Sequence, residues 1–336
     1  MKHSPPVIVT MGEPAGIGGE IALAAWTRLS HDGPIFCLLD DPARVRRVAA
    51  RVGVVVPIEA ITDPAAARGV FHRALPVLEL GQTVEATAGT PSSTTAAAVI
   101  DSITRAVAHV RSGEGSAVVT NPIQKSVLTA AGFGFPGHTE FLAHLAGIPR
   151  PVMLLAGPDL RVVPLTIHVP LRTVPDLLTV NLVVETAMIT ARALRQQFGI
   201  PAPRLALAGL NPHAGEDGTI GTEDRDVLMP AVAQLRALGI DITGPLPADT
   251  MFHAQARQRY DVALCPTHDQ ALIPLKTLAF DDGVNVTLGL EFVRTSPDHG
   301  TALDIAGMGI ARPDSLIAAI RLADILGKRS REGQPA

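Results

Sequence analysis

Short apolar runs alternate with amphipathic segments along most of this chain. In the first third, Val7–Thr10, residues 34–40, 54–58 and 77–80, and Ala117–Val119 have the length and composition of buried strands. Between them, residues 20–29 repeat apolar positions at helical spacing. So do residues 43–51, opened by Asp41 and Pro42, and residues 92–110, with Val99, Ile103, Ala106, Val107 and Val110 on one face. Strand and helix in alternation predict an α/β fold with a mainly parallel sheet. Further along, residues 152–155 and 161–167 form a predicted hairpin across Gly157-Pro158-Asp159, followed by a helix over 182–198 and a strand over Leu205–Ala208. Residues 222–238 predict a helix, 244–250 a loop into a short helix, 262–267 a strand, and a turn of helix carries Lys276. Val284–Leu288 and residues 292–296 predict strands, residues 297–306 a helix, 315–326 a final amphipathic helix and 327–336 a frayed polar tail.

Where strands stop, histidines appear. The run Leu205–Ala208 breaks at Gly209, Asn211 and Pro212, all turn formers, and delivers His213. His168 follows Leu165-Thr166-Ile167, and His268 follows residues 262–267. Ligands in open α/β sheets gather at the carboxyl ends of strands, and imidazole is the commonest metal ligand. The three together form a candidate metal site. A histidine after a strand is more often a hydrogen-bonded loop residue, and no HExxH spacing is present, so on the residues alone both readings stand.

Two other segments carry candidate chemistry. Strand, glycine-rich turn and helix succeed one another through Met11-Gly-Glu-Pro-Ala-Gly-Ile-Gly-Gly19, which suits either an anion cradle or a tight packing turn. The segment lacks GxGxxG spacing and so is no dinucleotide fingerprint. His138 and Thr139 open a predicted helix, where Thr139 is either a cap or an anion contact. Asp249 is either a cap or a residue reaching a cleft.

Composition narrows the class. The chain has 336 residues, 47% of them hydrophobic, and a formal charge of −4. That is ample core for two lobes without the basic excess of a nucleic-acid binder, and aromatic residues for base stacking are scarce. No apolar segment is long enough to span a membrane and no secretory pattern opens the chain, so a cytoplasmic protein is expected. Cys37 and Cys265 sit in apolar runs and are expected to be inert core thiols.

Several longer motifs occur in one order: Gly12-Glu-Pro-Ala-Gly-Ile-Gly18, Gly137-His-Thr-Glu-Phe141, Gly209-Leu-Asn-Pro-His-Ala-Gly-Glu216, Gly244-Pro-Leu-Pro-Ala-Asp249, His268-Asp-Gln270, Gly283-Val-Asn-Val-Thr-Leu-Gly-Leu290 and Arg294-Thr-Ser-Pro-Asp-His-Gly-Thr-Ala302. With these, the chain resembles the 4-hydroxythreonine-4-phosphate dehydrogenase family of vitamin B6 biosynthesis over roughly residues 7–326. The resemblance implies a two-lobed α/β/α fold like that of isocitrate and isopropylmalate dehydrogenases, with the active site in the interlobe cleft. The lobes are expected at about residues 1–130 with 280–330, and 131–279. It implies that His168, His213 and His268 bind a divalent metal (zinc, magnesium or cobalt), and that His138, Thr139, Lys276, Asn285 and Arg294 bind substrate. It also implies a homodimer that shares each site between subunits, with NAD or NADP as oxidant. The implied reaction oxidises and decarboxylates 4-phosphooxy-L-threonine to 3-amino-2-oxopropyl phosphate. Lys276 and Asp269 are both candidates for the proton acceptor.

The sequence departs from the family pattern around His268, where Thr267 replaces the usual aromatic residue and Ala271 the usual glycine. Two alternatives remain. One is a sister dehydrogenase acting on a four-carbon sugar-acid phosphate, erythronate or threonate 4-phosphate, or on a cyclic dihydrodiol. The other is a metal- and phosphate-binding protein without redox activity.

Overall fold

A computed structural model describes residues 4–332. The strands, in chain order, are β1 (Val7–Thr10), β2 (Phe36–Asp40), β3 (Ile58–Ile61), β4 (Leu75–Glu79), β5 (Ala117–Val119), β6 (Val152–Ala156), β7 (Arg161–Pro164), β8 (Leu205–Ala208), β9 (Ile242–Leu246), β10 (Val262–Cys265), β11 (Val284–Leu288) and β12 (Arg294–Pro297). The chain divides into two compact units, Met1–Pro151 with Leu290–Ala336, and Val152–Gly289. The first crossing falls after residue 151, later than the sequence places it. The reason is packing: Phe141 and Leu142 of the helix His138–Ala146 belong to the same apolar core as Ile8, Leu39, Val99 and Ile103, with Phe133 and Phe135 against them.

In the first unit the strands run β3-β4-β2-β1-β5-β12, every pair parallel, as the alternating pattern predicts. Asp41 caps the helix Pro42–Val52 by accepting from the Ala43 amide, with Pro42 in the first turn. Buried Arg44 grips Asp40 through Nε (2.9 Å) and Nη2 (2.5 Å) and donates Nη1 to the Pro14 carbonyl (3.1 Å). The glycine-rich turn is thereby tied to the end of β2.

Three local expectations change. Residues 54–57 are not strand, and Val55 is 99% exposed; β3 begins at Ile58. Residues 303–307 form turns, and no helix follows Gly300 before Asp314. Ala302 takes a left-handed φ of 44° there, and the buried Glu20 carboxylate pins the Gly307 and Gly309 amides at 2.6 and 3.1 Å. The last helix runs Asp314–Glu332, through the stretch expected to fray; residues 333–336 lie outside the described residues.

The second unit orders its strands β11-β6-β7-β10-β8-β9. The expected hairpin forms, β6 pairing antiparallel with β7 and with β11. From β7 onward the pairs are parallel. β9 was not legible because Gly244-Pro245 reads as a loop; it lies at the end of the strand order, where a proline interrupts no second ladder. Among the described residues no single helix is long and apolar enough to cross a membrane.

Gly327 shows how tightly the first unit is packed. A Cβ there would lie 2.6 Å from the Ser116 carbonyl oxygen, a backbone atom with little freedom to retreat. Helix propensity alone would make Gly327→Ala stabilising by about 0.8–1 kcal/mol. The close approach predicts the opposite sign, a loss of about 1–3 kcal/mol from overpacking. Urea denaturation of parent and variant distinguishes the two, and a higher midpoint for the variant would refute the packing argument.

Candidate functional site

The register of three neighbouring strands sets the site in the second unit. β10 lies between β7 and β8, with Cys265 opposite Pro164 and Leu264 opposite Leu207. The strands therefore end at nearly one level, and each hands the chain to a segment bearing a histidine. His168 and His268 come together, their ring centroids 5.8 Å apart. Both line a cavity of about 700 Å³ that also includes Asp249, Gln270, Leu171 and Ile273.

His268 is the first residue of the helix His268–Leu278. Thr267 caps that helix, its hydroxyl accepting from the Gln270 amide while Gln270 Oε1 accepts from the Thr267 amide. The departures at Thr267 and Ala271 thus have a physical account: Thr267 supplies the capping hydroxyl, and the Ala271 methyl is fully buried in the core beneath the helix. Asp269 Oδ1 lies 2.8 Å from His268 Nδ1. A carboxylate on one ring nitrogen fixes the tautomer and leaves the other for a metal.

His213 stands in a stretch of unusual backbone. His213, Ala214, Gly215, Glu216 and Asp217 have φ of 53°, 54°, 78°, 42° and 57°, a continuous left-handed turn. His168 is also left-handed, with φ 49°. Each non-glycine residue in this region costs about 1–2 kcal/mol, and such strain persists where surrounding contacts over-determine it, often at functional sites. Among the described residues no group of three or more His, Cys, Asp or Glu side chains is arranged to hold a metal ion. The fold of one chain therefore gathers His168 and His268, without His213 completing a three-ligand set.

Two 5.8 Å-separated imidazoles, one already oriented by a carboxylate, fit a pair of ligands to one divalent ion with metal–nitrogen bonds of about 2.0–2.1 Å.

The residues expected to bind substrate fall in both units. In the first, Arg294 opens β12 and is 3% exposed; its Nε and Nη2 donate to the Thr120 hydroxyl at 3.2 and 2.5 Å. Burial lowers its pKa to about 10. His138, with Thr139 beside it, begins the helix His138–Ala146 behind an N-cap of Gly137, so Thr139 is not the cap. The residue is half-buried, yet its Nε2 is buried without a hydrogen-bond partner. Burial first, then the charges of Arg294 and Lys125, hold the imidazole well below its usual value and therefore neutral. Lys125 was missed in the sequence; its position at the head of the helix Lys125–Ala130, just beyond β5, was the available signal.

In the second unit, Lys276 Nζ lies 5.6 Å from the centroid of the Phe280 ring. Asn285 sits on β11 opposite Leu155, and its Oδ1 is buried without a hydrogen-bond partner.

Four amides of the glycine-rich turn already have partners within the protein. The amides of Glu13, Ala15, Gly16 and Ile17 are consumed by Pro122 O, Glu13 Oε1, Glu13 O and Thr301 O. A Cβ on Gly16 would lie 2.9 Å from the Thr301 carbonyl oxygen. Both cysteines are buried and free, and burial pushes the Cys37 thiol up to about 12 and Cys265 higher still, so neither is a thiolate nucleophile.

Comparison with known proteins adds an independent line. Residues 34–323 match the model of the pyridoxal phosphate biosynthetic protein PdxA family. The chain is 63% identical over 332 residues to a 4-hydroxythreonine-4-phosphate dehydrogenase from Methylorubrum populi, covering 96% of this chain and 95% of that protein. Among solved structures it is similar to a 4-hydroxythreonine-4-phosphate dehydrogenase from Klebsiella pneumoniae (TM-score 0.88, 37% identity, 96% of this chain and 100% of that one). It also resembles a terephthalate 1,2-cis-dihydrodiol dehydrogenase from Burkholderia xenovorans LB400 (TM-score 0.65, 28% identity, 96% and 98%). On the strength of the family match and this near-full-length identity, the chain belongs to the PdxA family of pyridoxal phosphate biosynthetic proteins.

Proposed function

We propose that the protein oxidises and decarboxylates 4-phosphooxy-L-threonine to 3-amino-2-oxopropyl phosphate, with NAD or NADP accepting the hydride. The observation that carries this reading is the strand-end pair His168 and His268 in one cavity, in a chain so similar to dehydrogenases of that name. A divalent ion held by His168, His213 and His268 would supply Lewis-acid stabilisation of the negative charge that develops on the substrate oxygen. Zinc, magnesium and cobalt are all candidates. Asp269 holds the His268 ring in position. Buried Arg294 and neutral His138 suit an anionic substrate: the guanidinium offers a fork of donors and the imidazole a nitrogen with no protein partner. Thr139 can add a hydroxyl beside it in the first unit; in the second, Lys276 can offer substrate a cationic contact and Asn285 an orienting amide. The nicotinamide cofactor enters as a second substrate; the turn around Glu13–Ile17 has its amides already in use and is no cradle for its pyrophosphate.

The same reading makes the working unit a homodimer. Within one chain the described residues present no three-ligand set, while Leu171 and Ile273, at the rim of the cavity that holds His168 and His268, are 73% and 64% exposed. A second copy covering that apolar rim would bury it and bring the missing donor. A cytoplasmic setting fits the two free, buried cysteines.

The decisive experiment is NADH absorbance with purified protein and a panel of 4-phosphooxy-L-threonine, erythronate and threonate 4-phosphates and a cyclic dihydrodiol. Turnover is expected with the first, abolished by chelation and restored by added divalent ion. Preference for a sugar-acid phosphate or the dihydrodiol would favour a sister activity, and no NADH with any substrate would favour a binding protein. Shared assembly is tested with Ile273→Asp. The variant is expected to sediment as a monomer and to lose bound metal; a monomer with full metal content and turnover would overturn the shared site.

His138, half-buried with its Nε2 buried, predicts a pH effect on the fold itself. Its imidazole is held below the ordinary 6.5, so the unfolded chain takes up the proton first as pH falls. The stability involved is fully present above about 6.5 and lost as the pH falls from there toward the lowered folded value. His138→Asn is therefore expected to flatten the decline of Tm between about pH 7.5 and 5. An unchanged slope would mean that His138 is not held neutral by its surroundings.

A further inference from the structure

The exit of β8 is held on every side by a few polar groups. The Gly209 amide donates to the Leu246 carbonyl at 2.7 Å, continuing the pairing with β9. The Gly209 carbonyl accepts from Gln270 Nε2 at 2.8 Å. The next two amides, of Leu210 and Asn211, donate to the two side-chain oxygens of Asp224, at 2.9 and 3.0 Å. The Asn211 side-chain amide donates to Asp224 Oδ2 at 3.0 Å and to Glu223 Oε2 at 2.8 Å, and the Asn211 carbonyl accepts from the Ala214 amide at 3.1 Å. Immediately afterwards the chain enters the left-handed turn that begins at His213.

Asp224 is 1% exposed, and all three of its donors belong to this exit. It sits directly beneath the left-handed turn: a Cβ on Gly215 would lie 3.3 Å from both its Cβ and its Oδ2. Gln270 is two residues beyond His268 in the same helix, and its Oε1 is anchored by the Thr267 amide. Its side chain therefore joins the segment that carries His268 to the segment that carries His213.

We propose that Asp224 and Gln270 are positioning residues that clamp the exit of β8 from its two sides, Asp224 on the Leu210 and Asn211 amides and Gln270 on the Gly209 carbonyl, and so fix the strained turn bearing His213 against the helix bearing His268. The clamp acts through backbone, touching neither imidazole. It supplies the external constraint that a left-handed run of non-glycine residues requires. The proposal rests on the reading of His213 and His268 as metal ligands.

The test uses the full-length protein, stripped of metal and titrated with Co²⁺, whose visible absorption reports the ligand set. Asp224→Asn keeps the shape but turns an amide nitrogen toward one of the two backbone donors. Gln270→Glu keeps the acceptor for the Thr267 cap and sets an oxygen against the Gly209 carbonyl; glutamate is a favoured residue at this helix position, so the helix is retained. Both variants are expected to bind Co²⁺ about 10–100-fold more weakly, the usual cost of losing a group that orients a ligand. In the metal-free protein Asp224→Asn should also exchange the Leu210 and Asn211 amide hydrogens faster. Thr179→Ala removes the cap of the helix Val180–Gln196 and controls for general destabilisation; it should lower Tm without changing Co²⁺ affinity. Parent-like Co²⁺ affinity in both clamp variants would overturn the proposal, as would an equal loss in Thr179→Ala. His213→Ala separates the two levels: if it binds Co²⁺ as the parent does, the ligand assignment fails. If it loses Co²⁺ while the clamp variants keep it, the clamp alone fails.

Discussion

The parallel register of β7, β10 and β8 is the constraint on which the candidate metal site depends. Parallel pairing holds neighbouring strands at fixed offsets, so Pro164 stands opposite Cys265, and Leu264 opposite Leu207. Segments separated by about a hundred residues then leave the sheet at one edge. Every residue of β10 and β8 is buried, so the strands lie inside the sheet with both faces covered. His168 and His268 need no motif in common to meet; they need only follow strands that are neighbours and end together.

What surrounds those histidines is a balance of strain and restraint. Left-handed backbone at His168 and through His213–Asp217 is unfavourable in isolation, and it is concentrated at the strand ends where the chemistry is proposed. Opposing it is a dense local hydrogen-bond network in which Asp224, Gln270, Asn211, Thr267 and Glu223 bond to backbone or to each other. The first unit shows a different economy. Arg294 and His138 are enclosed with Lys125 near by, and the electrostatic cost falls on the histidine proton, which is kept off. A neutral imidazole beside the buried Arg294 guanidinium and the exposed Lys125 ammonium leaves a region of positive potential.

The dihydrodiol dehydrogenase likeness illustrates how little fold alone says about substrate. A TM-score of 0.65 over nearly the whole chain accompanies an enzyme named for an aromatic dihydrodiol, so discrimination has to come from side chains. Here Arg294, His138 and Lys125 are the groups proposed to make that discrimination.

The sequence by itself determined the strand–helix order, the buried strands β1, β5, β8 and β11 to the residue, the β6–β7 hairpin, and which residue types stand at strand ends. These are local properties: apolar runs, period, and turn chemistry at Gly209, Asn211 and Pro212. It also carried the family resemblance, because long motifs in a fixed order survive without any knowledge of contacts. Only the tertiary structure decided the rest. β9 was hidden because Gly244-Pro245 breaks a local pattern while an edge position tolerates it. The helix expected after Arg294-Thr-Ser is replaced by turns in which Ala302 is left-handed, and the chain beyond them is held where distant Glu20 accepts from the Gly307 and Gly309 amides. In the glycine-rich turn, the Glu13 and Ile17 amides are taken by the carbonyls of Pro122 and Thr301, far away in the chain. Lys125 and Asp224 gained their roles from neighbours remote in the chain, His138 with Arg294 for the one and the exit of β8 for the other. Hydrogen bonds and charges act through space, and spacing along a chain records them only where the partners are also neighbours in sequence.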